Sequence, residues 1–182
     1  MVLRKKRGFQ NVKLIKKITD RDILGLAGIS TQQPRITARA ILKNNRDMYA
    51  VMHSEKFSLY SLPGGGVEPD ENIKDAIKRE IWEETGCNIA DIQELGCIEE
   101  NRAHCDYTQI DYYYLVTTND ETLCPHMTDN ELRNGTSVLW LNAQDMYQRI
   151  ATPQHTTNQR KFLQARDVAA LQEYFSQNNI II

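Results

Sequence analysis

The segment from Glu71 to Gly86 constrains this chain more than any other: its pattern is helical, yet it carries carboxylates where apolar side chains belong. On a helical wheel with Ile73 at the origin, Ala76, Ile77 and Ile81 define an apolar stripe from about 300° to about 80°. Glu80 and Glu84 fall inside that stripe, one turn apart, at about 340° and about 20°, and Glu83 lines its edge at about 280°. Carboxylates on a buried face must be protonated, paired with cations or bound to metal. Arg79 can pair with one of them but cannot neutralise three. A hard divalent cation, Mg2+ or Mn2+, suits an all-oxygen donor set of this kind. The competing arrangement is a helix rotated to put the glutamates in water, which exposes Ile77 and strands the stripe.

Around this helix the chain alternates strand and turn signals. A short strand is expected over Asn11–Ile18, and Gly25–Pro34 reads as a connection. Strands are expected from Ile36 to Leu42, from Met48 to His53 after the turn Asn44–Asp47, and from Phe57 to Leu62. The last of these ends in Pro63-Gly64-Gly65-Gly66, a tight turn before the helix. Asp70 is the expected N-cap of that helix and Gly86 its terminating glycine. Strands follow over Ile89–Glu100, Gln109–Thr117 and Ser137–Leu141, then helices over Asn142–Ile150 and Asn158–Phe175. This order predicts an α+β fold with a mixed β-sheet. Residues 1–34 read as a basic lead with an extra strand, and residues 35–182 as the main domain.

Charge and composition narrow the function. The 182 residues sum to −2, but residues 1–17 carry +7 and the remainder −9. An acidic body argues against a dedicated nucleic-acid binder, and the lead supports no more than salt-sensitive, non-specific contact with nucleic acid. No apolar run approaches the roughly 18 residues that span a bilayer, so no membrane role is expected. Cys87, Cys97, Cys105 and Cys124 form no CxxC pair and read as reduced thiols. With no secretory pattern after Met1, a cytoplasmic location is expected. The apolar end Ile180-Ile181-Ile182 suggests packing on something, and a homodimer is the protein partner to test.

The spacing Gly65-x5-Glu71-x7-Arg79-Glu80-Ile81-x-Glu83-Glu84-x-Gly86-Cys87 resembles the Nudix box of the Nudix hydrolases, the superfamily that includes MutT. The soft departure is Cys87, where the family usually has an aliphatic residue, and buried Cys behaves as a small hydrophobe. The resemblance implies an α/β/α sandwich around a mixed sheet, with the loop–helix–loop of the box holding metal. Glu80 and Glu84 are then the principal metal ligands, with Glu83 direct or through water and the Gly65 carbonyl assisting. Arg79 and Glu71 become orienting partners.

The activity so implied is Mg2+-dependent hydrolysis of a nucleoside diphosphate linked to X, giving a nucleoside monophosphate and phosphate-X. The partner is a small-molecule nucleotide. The alternative is a nucleotide-sensing Nudix-fold module without catalysis, although such modules usually lose box glutamates and this chain keeps them all. General-base candidates are Glu83, Glu100, Glu121 and Glu131, the last two in a loop long enough to cover a site. Substrate-binding candidates are Arg39, Tyr60, Gly64 and Gly66. A mid-strand arginine suits phosphate, a tyrosine can stack on a base, and glycines admit a ligand close to the backbone. No proline stands downstream of the box at the spacing of ADP-ribose enzymes.

Overall fold

A computed structural model describes residues 12–119 and 124–181. Residues 1–11, with most of the basic lead, lie outside the described residues, as do Glu121 and Ile182. The strands are β1 (Leu14–Thr19), β2 (Arg35–Asn44), β3 (Tyr49–Ser54), β4 (Leu59–Ser61), β5 (Gly64–Gly66), β6 (Asp91–Arg102), β7 (Tyr107–Thr118) and β8 (Thr136–Leu141). The helices are α1 (Asp20–Leu24), α2 (Ile73–Thr85), α3 (Asp129–Arg133), α4 (Ala143–Ala151) and α5 (Asn158–Asn178). Together they form an α+β fold on one mixed sheet, in the order β1-β6-β7-β2-β3-β4, with β5 paired to β2 and β8 to β3. Among the described residues, no helix is long and apolar enough to cross a membrane.

Alternation along β2 explains the layering. Ala38, Ala40 and Leu42 point to one face and pack with Ala76, Ile77 and Ile81 of α2. Ile41 points to the other face and joins Met146, Ile150, Phe162 and Leu171 of α4 and α5. Successive strand residues face opposite sides, so one strand serves two cores, and the sheet is sandwiched between α2 and the α4/α5 layer. Small alanines on the α2 side let that helix lie close to the sheet. Cys87 is buried in the same apolar layer.

Several local expectations are corrected. The N-cap of α2 is Asn72, whose side chain accepts from the Asp75 amide at 2.9 Å; Asp70 instead takes a left-handed conformation (φ 64°) in the preceding turn. Gly64–Gly66 is a short strand rather than a free turn. The segment Phe57–Leu62 is a 3-10 turn (Glu55–Phe57) followed by three strand residues. The short helix α3 lies in a stretch read as a loop and α1 in one to which the sequence assigns no element, and at five residues each their periodicity is too brief to detect.

The extra strand β1 runs parallel to β6 and adds an edge to the sheet. Its addition depends on Gly96, where the β6–β7 register shifts between Glu94 and Gly96. Gly96 has φ 150°, and a Cβ there would lie 2.7 Å from the Lys13 carbonyl oxygen. Gly25 also has positive φ (70°) but open space around it. Gly96→Ala is therefore expected to lower stability by about 1–3 kcal/mol in urea unfolding, more than Gly25→Ala, which carries the backbone cost alone.

Candidate active site

The site is built on the way β5 lies against β2. Pro63 interrupts the ladder after β4, its carbonyl accepting from the Ala40 amide at 2.9 Å, and Gly64–Gly66 then pairs with Thr37–Arg39. The approach leaves no room for side chains. A Cβ on Gly64, whose φ is 129°, would fall 2.2 Å from the Ala38 carbonyl oxygen. At Gly65 the space a Cβ would need, 2.5 Å from Glu80 Oε1, is filled by the Glu80 carboxylate. The three glycines thus let a backbone and a carboxylate share one crevice.

Helix α2 delivers the charges to that crevice. Ala76, Ile77 and Ile81 are fully buried, which fixes its rotation and turns Glu80 and Glu84 toward the glycine strand. The Gly64 amide donates to Glu84 Oε2 at 2.7 Å. Arg79 grips Glu71 through both carboxylate oxygens, Nε to Oε1 at 2.9 Å and Nη2 to Oε2 at 3.0 Å. Its Nη1 donates to Glu80 Oε1 at 2.8 Å and to Glu83 Oε2 at 3.2 Å, and its Nη2 also reaches the Gly66 carbonyl at 2.9 Å. The Glu71 bonds hold Arg79 above the ordinary arginine range, and Arg79 in turn holds the Glu71 carboxyl low.

Burial raises the Glu80 carboxyl against the pull of Arg79. Glu84 is pushed up to about 8, first by burial and then by the charge of Glu80, against the Gly64 amide and Arg39. Glu131 on α3 adds negative charge near Glu84, while its carboxylate caps α3 by accepting from the Thr128 amide at 2.7 Å. The loop before α3 is tied to α2: the His126 amide donates to the Glu83 carbonyl at 2.7 Å, and its ring stacks on Trp82 with centroids 3.9 Å apart.

Whether these residues suit a divalent cation can be judged from their chemistry. The donors are hard oxygens, two of them on carboxyls that burial leaves short of positive charge. Among the described residues, no three carboxylate, imidazole or thiol side chains form a ready-made metal cage. Arg79 occupies Glu80 and Glu83, so a cation must compete with it for them. The donor set fits Mg2+ or Mn2+ on these terms.

Other expected site residues lie elsewhere. Glu100 is not aimed at the box glutamates: its carboxylate is buried on the α5 side of the sheet, bonded to Arg102 and 3.8 Å from Arg166. The Arg39 side chain is 12% exposed, with Nε 3.1 Å from Asp111 Oδ1 and Nη1 directed to the Leu62 and Gly64 carbonyls, so these two nitrogens are engaged by the protein. The Tyr60 ring is covered by His53 at 4.4 Å and the Arg149 guanidinium at 5.5 Å. Asp111 and Asp167, both fully buried, were not anticipated. The signal was available in Arg166-Asp167, a charged pair inside the apolar pattern of α5.

A NUDIX domain family model matches residues 33–165. A Bacillus subtilis (strain 168) protein named "Putative 8-oxo-dGTP diphosphatase" is 37% identical over 59 residues, 32% of this chain and 40% of that protein. The chain thus matches less than half the length of this curated relative. Among solved structures, a NUDIX hydrolase from Nitrosomonas europaea superposes with TM-score 0.59 at 18% identity, covering 80% of this chain and 90% of that one. A MutT NUDIX hydrolase from Burkholderia pseudomallei superposes with TM-score 0.53 at 19% identity, covering 74% and 98%. At such identities the likeness is one of fold.

A pH dependence follows for protein stripped of divalent ions. Glu84 binds its proton more tightly folded than unfolded, so this group makes the fold more stable as pH falls through its folded value toward the ordinary carboxyl range. Unfolding free energies taken in chelator from about pH 9 to about pH 5 should rise for wild type, and the rise should flatten in Glu84→Gln.

Proposed function

This chain belongs to the NUDIX hydrolase family, and on that premise we propose that it is a divalent-cation-dependent pyrophosphohydrolase. It would cleave a nucleoside diphosphate linked to X into nucleoside monophosphate and phosphate-X. The observation that carries this reading is the convergence of Glu80 and Glu84 on a glycine strand too tight for side chains, with Glu83 joined to Glu80 through Arg79. Residues 35–182 are taken as the catalytic unit, with β1 and α1 as an addition to its sheet.

In this reading Glu80, Glu84, Glu83 and the Gly65 carbonyl hold Mg2+ or Mn2+. Bound there, the cation supplies neutralisation of the pyrophosphate oxygens and eases deprotonation of the attacking water. Arg79, held by Glu71, orients Glu80 and Glu83 and offsets their mutual repulsion when no cation is present. Glu131 and Glu83 are the candidates to take the proton from water, since both lie near Glu84 or on its helix. Glu100, buried among arginines, is set aside. Gly64 and Gly66 let substrate approach the backbone, and the Arg35 guanidinium beside Gly66 is a further cation available to phosphate.

The test is a Mg2+-dependent turnover screen over nucleoside triphosphates, 8-oxo-dGTP, ADP-ribose, nucleotide sugars and dinucleoside polyphosphates, with products separated by chromatography. The oxidised nucleotide is included because a relative bears that substrate in its name. At least one compound should yield a nucleoside monophosphate, and Glu84→Gln should lose about a hundredfold or more in kcat. Nucleotide binding without turnover in wild type would point instead to a sensing module.

A further inference from the structure

The α5 side of the sheet holds a second group of charges whose bonds end on the backbone of the glycine strand. Asp111 and Asp167 are fully buried and Arg166 is 3% exposed. Asp111 Oδ1 accepts from Thr37 Oγ1 at 2.6 Å and Gln109 Nε2 at 2.8 Å, and lies 3.1 Å from both Arg39 Nε and Arg166 Nη1. Asp167 Oδ1 accepts from the Tyr113 hydroxyl at 2.7 Å. Buried ion networks of this kind are often no more stabilising than apolar packing. Apolar side chains, however, cannot bond to a backbone.

Pro63 is where such bonds are needed. It has no amide hydrogen and separates β4 from β5, so the flanking peptide groups leave the sheet ladder. Arg39 Nη1 donates to the Leu62 carbonyl at 3.3 Å and the Gly64 carbonyl at 3.1 Å. Asp167 Oδ2 accepts from the Leu62 amide at 3.0 Å. The Gly64 amide, two residues on, is the donor that holds Glu84. A continuous series of bonds therefore runs from α5 through Leu62 and Gly64 to a proposed metal ligand.

We propose that Arg39 and Asp167 are positioning residues for the metal site, clamping the Leu62–Gly64 backbone so that its amide keeps Glu84 in place as a ligand. This assignment rests on the metal-binding reading of Glu80 and Glu84, and gives Arg39 a role other than contact with substrate. Each clamp is itself held from behind, Arg39 by Asp111 and Asp167 by Tyr113. The Gly64 amide is the group one bond removed from the ligand; altering such a partner commonly changes metal affinity by about 10–100-fold, and the clamps act through it, so the lower end of that range is expected of them.

The decisive measurement is Mn2+ binding by electron paramagnetic resonance, without substrate, beside thermal melting of each variant. Arg39→Lys keeps the charge that Asp111 needs but loses the planar fork that reaches two carbonyls. Asp167→Asn keeps the volume but presents one acceptor oxygen where two oxygens accept three bonds. Gln164→Ala is the control: on the same helix, it removes three bonds, which go to the Ile150, Ala151 and Pro153 carbonyls and not to Leu62–Gly64.

Arg39→Lys and Asp167→Asn should each weaken Mn2+ binding about tenfold, whereas Gln164→Ala should lower the melting temperature and bind Mn2+ within about twofold of wild type. Arg39→Lys alone suffices if Asp167→Asn does not fold. Unchanged Mn2+ affinity in the clamp variants, or an equal loss in Gln164→Ala, overturns the inference and leaves the hydrolase reading intact. A wild-type protein that binds no Mn2+, or a Glu84→Gln variant that binds it normally, overturns both.

Discussion

A carboxylate can occupy the buried side of an amphipathic helix only if something beside it answers its charge. Here the answer is divided between guanidinium groups and one backbone amide. Arg79, on the same helix, takes Glu71 with both arms and still reaches Glu80 and Glu83. Glu84 lies out of its reach and depends on the Gly64 amide. That division dictates much else. The amide must face α2, so the glycine strand must lie flush on β2, and no side chain larger than hydrogen fits at Gly64 or Gly65. The alanines on that face of β2 bring α2 close enough for the bond to form. An arrangement that leaves carboxyl groups short of positive charge is also one that can exchange an internal cation for an external one.

Much of this is legible in the sequence, for reasons that follow from period and chemistry. The wheel placed Glu80 and Glu84 within the stripe of Ile77 and Ile81, and the structure buries those isoleucines with the glutamates turned to the crevice. The resemblance at Gly65, Glu71, Arg79, Glu80, Glu83, Glu84 and Gly86 led to the family. What failed depended on partners far away in sequence. Gly64–Gly66 has no strand propensity of its own and is a strand because β2 supplies the pairing. Asp70 and Asn72 are both good caps, and the turn closed by the Glu71 amide on the Glu68 carbonyl selects the second. Glu100 read as a base because its strand follows the box. The alternation of β6 sends it to the opposite face from Cys97, among arginines.

The two charged groups on either side of β2 differ in what they ask of the protein. On the α2 side the carboxylates outnumber their cations, and the deficit is chemically useful. On the α5 side, carboxylates and guanidinium groups alternate, and Glu100 Oε1, Asp111 Oδ2 and Arg166 Nη2 are buried without a hydrogen-bond partner among the described residues. Arg39 belongs to both, since it bonds to Asp111 below and its charge is felt by Glu80 and Glu84 above. A strand carrying one arginine at its centre is thus the joint between the layer of box glutamates and the layer that closes the fold.

The bond between the Leu62 amide and Asp167 spans 105 residues. Long-range closures of this sort form only after the intervening chain is available to pack. During synthesis the box helix and its glycines leave the ribosome well before α5, so the loop spends that interval without one of its two clamps. The chain emerges with its acidic helix early and its backbone anchor late, and the geometry around Glu84 is completed only once α5 has docked. A nascent chain stalled before Asp167 would carry every box residue and still lack the finished site.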